Sequence, residues 1–193
     1  MPKGVDFFPI PGDIFQSLCI DFLELPPSDG KNYIMVVVCR LSGYIVAIPC
    51  SKDGLTSEET AKLFLEHCVH FMGLPCEIVS ECDTRLTSQW FLTLCTLLGI
   101  EQHIAIIYRP KGNGRAEAAV RAVVQMLRLT LEKNPGRWTE RLPWAVYYIN
   151  ALPGLILPHS PHKIVFGRDT PFIGDLPVLK EIRGRSAEDC VRW

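Results

Sequence analysis

Apolar and polar positions along this chain change period several times, and each change predicts an element. Phe15–Leu25 is an apolar run with one acid inside it, Asp21, and predicts a first strand. Pro26-Pro27-Ser28-Asp29-Gly30 predicts a turn, because Pro fixes φ and Gly permits positive φ. Two β-branched runs follow, Tyr33–Cys39 and Tyr44–Pro49, joined by Arg40-Leu41-Ser42-Gly43. Together these predict a three-stranded antiparallel meander.

The period then lengthens. Thr56-Ser57-Glu58-Glu59-Thr60 combines a capping residue with acids suited to the positive end of a helix. Ala61, Phe64, Leu65, Cys68 and Phe71 continue it as an apolar stripe, which Gly73-Leu74-Pro75 ends. Cys76–Ser80 predicts a short buried strand. Ser88–Leu98 predicts a helix with Trp90, Phe91, Leu94, Cys95 and Leu98 inward, stopped by Gly99, and Ile100–Ile107 a fifth strand. A glycine-rich basic loop at 109–115 opens the longest helix, Ala116–Lys133, with Val120, Val123, Val124, Leu127 and Leu131 as its stripe. Trp138–Leu152 predicts another helix, carrying Trp144, Val146, Tyr147 and Ile149. His162–Phe166 predicts a short helix or turn. The order β-β-β-α-β-α-β-α-α predicts an α/β fold, a mixed five-stranded sheet with helices on both faces, and resembles that of the ribonuclease-H-like fold. Residues 1–12 read as a linker, 13–172 as the core domain, and 173–193 as a tail or linker.

Composition narrows the class. Of 193 residues, 48% are hydrophobic and 21% charged, which suits one globular domain with a sizeable core. No run approaches the roughly 18 apolar residues of a membrane span, so no membrane partner is expected. Met1-Pro2-Lys3-Gly4-Val5-Asp6 lacks the apolar core of a signal peptide, so nucleus or cytoplasm is the expected location. The eight cysteines are scattered without a CxxC pair and read as free thiols. A net charge of −1 leaves any DNA contact to a local basic patch.

Three carboxylates stand on different elements: Asp21 in the first strand, Glu81 or Asp83 just after the fourth, and Glu117 in the first turn of the long helix. Hard cations such as Mg²⁺ take oxygen ligands, so such a set suits metal-assisted phosphoryl chemistry.

Across residues 8–172 the chain resembles the integrase catalytic core of retroviruses and gypsy-type retrotransposons. The family's MDF strand appears as Ile20-Asp21-Phe22, and its ILVVVDRLSKY as Ile34-Met-Val-Val-Val-Cys-Arg-Leu-Ser-Gly-Tyr44. Its HGLPxxIVSDRDxRFTSxFW appears as Met72-Gly-Leu-Pro-Cys-Glu-Ile-Val-Ser-Glu-Cys-Asp-Thr-Arg-Leu-Thr-Ser-Gln-Trp-Phe91. Its AYHPQTDGQSER motif falls on Ile107–Ala118. LPWAxxxYN falls on Leu142–Asn150, and SPxxxVFGRxP starts at Ser160. The resemblance places the acidic triad on Asp21, Glu81 and Glu117, with 117 − 81 − 1 = 35 residues between the last two. It implies Mg²⁺ or Mn²⁺ as cofactor, DNA as partner, a homodimer, and 3′-processing and strand transfer as the activity.

Two departures stand out. Position 81 is Glu where the family has Asp, and the extra methylene moves a carboxylate by roughly 1–1.5 Å. A misplacement of about 1 Å can cost on the order of 100-fold in rate. Asp83 would share a side with position 81 if the chain stayed extended, and is a further candidate ligand. The second departure is Ala118 and Ala119, where the family carries Arg and Asn that help to position DNA. The candidates for DNA contact in the loop are Arg109, Lys111, Asn113 and Arg115, which without the resemblance would read as a solvated loop. Along the helix they are Arg121, Gln125 and Arg128, whose spacing puts them on the face of Glu117, either lining a DNA groove or forming the exposed side of an amphipathic helix. The expected reading is an integrase-related domain with impaired catalysis, retained from a mobile element. The alternatives are an active integrase and a non-catalytic dimerising scaffold, for which Trp138, Trp144 and Tyr147 could supply an aromatic surface.

Overall fold

The computed structural model describes residues 11–104, 114–133, 137–153 and 158–170. Five strands form one sheet in the order β3-β2-β1-β4-β5. The strands are β1 (Ser17–Ser28), β2 (Lys31–Cys39), β3 (Ile45–Cys50), β4 (Glu77–Ser80) and β5 (Glu101–Ile104). β1, β2 and β3 pair antiparallel; β4 pairs parallel with both β1 and β5.

The first strand runs further than the sequence predicts. It passes through Pro26 and Pro27, and the turn shrinks to Asp29-Gly30, flanked by the pair Ser28↔Lys31. Both turn residues have positive φ, 50° and 71°, which is the two-residue hairpin geometry that Asp-Gly favours. Proline is tolerated here for two reasons. The ladder with β2 is irregular between Glu24 and Ser28, and β4 pairs with β1 only as far as Ile20. Pro26 still contributes its carbonyl, which accepts a 2.7 Å bond from the Trp138 indole.

Helices cover both faces, as expected. On one face α1 (Ser57–Phe64) and α3 (Gln89–Leu97) pack Phe64, Phe91 and Cys95 onto Leu18, Ile20, Met35 and Ile78. α1 continues through a π-type turn, Leu65–Val69, into α2 (His70–Met72). On the other face α4 (Gly114–Lys133) and α5 (Trp138–Ala151) pack Ala116, Ala119, Val123, Leu127, Leu142 and Ala145 onto Cys19, Ile34, Val36 and Val79. α6 (Pro161–Phe166) closes the described chain, with Ser160 as its cap.

Two aromatic positions differ from their predicted facing: Trp90 (44% exposed) and Phe71 (45%) lie outside. Trp144 (48%), offered above for an aromatic surface, is exposed too. In α3 the buried line is Phe91 and Cys95, one residue out of phase with Trp90. In α5 the buried line is Trp138, Leu142, Ala145 and Asn150, which turns Trp144 away. Periodicity gives a helix but only loosely its phase when apolar residues exceed what one face can hold.

Candidate metal-binding carboxylate site

Strand register brings the first two acids together. Ile20 pairs with Ser80 at the end of the parallel β1–β4 ladder, so Asp21 and Glu81 are the next residues on adjoining chains. Side chains alternate along a strand, so Asp21 shares the face of Cys19, while Glu81 follows directly on the last residue of β4. Cys19 and Val79 both pack beneath α4. Glu117 lies in the first turn of that helix, where the helix dipole favours a carboxylate. Asp21 within β1, Glu81 just past β4 and Glu117 in the first turn of α4 thus lie near enough for the latter two charges to be felt at Asp21.

Their charges are mutually felt at Asp21. Its carboxyl is pushed up to about 6, chiefly by burial. A 2.8 Å bond from the Phe22 amide opposes the rise, and the negative charges of Glu81, Glu117 and Asp83 add to it. Such a group has lost water and gained like-charged neighbours, the condition that a divalent cation relieves. The donors are all hard oxygens and suit Mg²⁺ or Mn²⁺ in kind. Among the described residues, no three His, Cys, Asp or Glu side chains already converge as a metal cage. Glu117 leans toward Arg121, 3.7 Å away.

Asp83 is engaged elsewhere. Residues 81–88 do not stay extended, contrary to the premise that would put Asp83 beside Glu81. The Asp83 amide donates to the Glu81 carbonyl at 2.8 Å, and the Leu86 and Thr87 amides fold back to the Asp83 carbonyl. The Asp83 carboxylate accepts from Nε and Nη2 of Arg85 and from the Arg85 amide. Burial pushes Asp83 up, but these Arg85 contacts outweigh it and hold the group below its usual value. Arg85 in turn lies 4.1 Å over the Phe22 ring and 4.9 Å over Tyr33, and donates to the Tyr33 hydroxyl at 3.2 Å. In the sequence Arg85 appears only as a position of the family motif; its contacts were not legible, because its partners lie on three separate segments.

The expected DNA-contact residues divide. Arg109, Lys111 and Asn113 lie outside the described residues. Arg115 is partly buried, and its Nη1 donates to the Leu41 carbonyl at 3.4 Å, in the turn between β2 and β3. Arg121, Gln125 and Arg128 are exposed and share one line of α4 with Glu117. Ala119 is buried against the sheet (4% exposed), so that position belongs to the core, and only Ala118 is on the surface. Trp138, considered above for an aromatic surface, is core (6% exposed).

A mixed sheet of this strand order, with helices on both faces and acids within β1, just past β4 and on α4, defines a ribonuclease-H-like fold. Residues 14–110 match the Integrase core domain family, and the chain belongs to that family. The Tf2-3 transposon polyprotein of Schizosaccharomyces pombe is 31% identical over 129 residues, covering 66% of this chain and 10% of that protein. The chain therefore spans about a tenth of the length of such curated relatives. Among solved structures, the HTLV-2 integrase catalytic core domain in complex with magnesium, in trimeric form, superposes with a TM-score of 0.64 at 21% identity. That match covers 78% of this chain and 95% of that one. The simian T-cell lymphotropic virus intasome, in complex with the PP2A regulatory subunit B56 gamma, gives a TM-score of 0.68 at 21% identity, covering 84% and 57%. At these identities the superpositions speak for the fold.

Proposed function

We propose that this chain is an integrase core of gypsy type, retained from a mobile element, whose DNA strand-transfer chemistry is impaired by Glu81. The observation that carries this reading is positional. Glu81 follows the last β1–β4 pair and stands beside Asp21, where the family's second acid belongs. A divalent cation, when bound, would supply activation of a water or 3′-hydroxyl and stabilisation of the leaving oxygen. Asp21, Glu81 and Glu117 would hold it, with Asp21 the most confined of the three. Arg121, Gln125 and Arg128 offer donors to phosphates along α4, a small set in a chain of net charge −1, so DNA binding is weak and salt-sensitive.

The test is Mn²⁺-dependent cutting and joining of DNA by wild type, Glu81→Asp and Glu81→Ala. We expect Glu81→Asp to exceed wild type by on the order of 100-fold, and Glu81→Ala to be inactive. Wild-type activity equal to that of Glu81→Asp would remove the impairment and favour an active integrase.

Exposure of Trp144 on α5 supports a second role, self-association. The HTLV-2 core described above was also solved in a dimeric form. A second copy covering Trp144 would bury a large aromatic otherwise left in water. Sedimentation equilibrium should show a dimer that Trp144→Glu weakens; a monomer at high concentration would end this reading.

A further inference from the structure

We propose that Arg85 is a positioning residue for the carboxylate site: by gripping Asp83 and resting on the Phe22–Tyr33 pair, it fixes the loop so that Glu81, not Asp83, faces Asp21. The proposal rests on the metal-site reading given above.

The loop 81–88 has two anchored ends of different kinds. Its far end is tied to the body by buried Leu86, whose carbonyl accepts a 2.7 Å bond from the Gln102 side chain, and by Ser88, which caps α3. Its near end leaves β4 at Ser80 and carries Glu81, Cys82 and Asp83, all outside the ladder. The contact that reaches from this near end to β1 and β2 is the Arg85 guanidinium. It forks onto both oxygens of Asp83 while lying over Phe22, the residue next to Asp21, and over Tyr33. Phe22 and Tyr33 are themselves stacked, with ring centroids 5.5 Å apart, and so form a firm platform. Asp21 and Glu81 are therefore held in relation to each other twice, by the β1–β4 ladder and, through the backbone, by the Arg85 bridge, which grips Phe22 on the face of β1 opposite Asp21. Occupying both Asp83 oxygens also removes a carboxylate that could compete with Glu81 for a cation. A planar, five-donor side chain is required for this; Lys carries the charge but can neither fork nor stack in the same way.

The test uses the full chain and two readouts: hydrogen exchange of amides 81–84 without metal, and Mn²⁺ affinity by calorimetry. For Arg85→Ala we expect exchange at 81–84 to quicken by about tenfold or more, with β1–β3 at wild-type rates, and Mn²⁺ affinity to fall about 10–100-fold. Asp83→Asn should reproduce both effects, and Arg85→Lys should rescue neither. The proposal is overturned by unchanged exchange in Arg85→Ala, by unchanged Mn²⁺ affinity despite faster exchange, or by full rescue with Lys. It is equally overturned if Asp83→Asn weakens Mn²⁺ binding while exchange stays at wild type, since Asp83 would then itself be a ligand. If Arg85→Ala does not fold, Tyr33→Phe removes one hydrogen bond and should move both readouts the same way by about threefold. A wild-type chain that binds no Mn²⁺, or binds it independently of Asp21, refutes the metal site, and the exchange measurement then decides alone whether Arg85 fixes the loop.

Discussion

Asp21 bears the largest electrostatic load of any acid in the described chain. It was legible in the sequence as an acid interrupting an apolar strand, and so was Glu117 at a helix start. The register that sets Asp21 beside Glu81 was not legible from periodicity, because it depends on a parallel pairing between segments some 60 residues apart. The load has a consequence for stability. The unfolded carboxyl titrates near 3.8 and the folded one near 6, so between these values the folded state holds more protons. Asp21 therefore favours folding below about pH 4, and that contribution is lost as pH rises through 6. A shift of this size corresponds to at most about 3 kcal/mol, which solvent screening of a half-buried group reduces to about 1 kcal/mol. Asp21→Asn should be more stable than wild type by about that amount at pH 7 to 8, with no difference below about pH 4, in urea unfolding at several pH values. A variant that gained nothing at pH 8 would show the carboxyl to be well solvated. Arg115 and Ala119 mark the limit of reading residues singly. Their neighbours in sequence suggested a DNA face, but helix phase and the approach of the β2–β3 turn put one in an internal bond and the other in the core.

Elements were easier to foresee than their ends. The strands and helices fell where periodicity put them, since each period is the direct consequence of which face must leave water. The first hairpin differs because two prolines suggest a turn, whereas an unpaired edge lets them remain in the strand. The turn belongs instead to Asp29-Gly30. Gly30 has φ +71° and open space around it, so an added Cβ meets strain but no clash. Gly30→Ala should cost about 1 kcal/mol and Gly30→Asn less, measured by denaturant unfolding. Equal stabilities would mean that the turn relaxes to another type. Residues 81–83 were considered as a possible extension of β4 and instead open a closed turn, in which the Asp83 carbonyl and carboxylate satisfy the amides of Arg85, Leu86 and Thr87.

The whole molecule depends on α5 being clamped to the far side of the sheet. Asn150, buried at the end of α5, accepts from the Ile45 amide and donates to the Ile45 carbonyl, both at 2.8 Å. Two long-range bonds in the core make this residue a tie between the last long helix and the start of β3. Asn150→Ala leaves two buried backbone groups unpaired and should cost about 2–4 kcal/mol by thermal or urea unfolding; a loss under 1 kcal/mol would show that water replaces the side chain. The motif containing Asn150 was visible in the sequence, but its partner 105 residues away was not. By itself the sequence determined the fold class, the order of elements, the family and the three acidic positions, because hydrophobic period and collinear motifs are properties of one dimension. Tertiary structure alone decided which acids meet, that Asp83 belongs to Arg85, and which aromatics face water. Those outcomes depend on strand register and helix phase, and both are set by packing between segments distant in the chain.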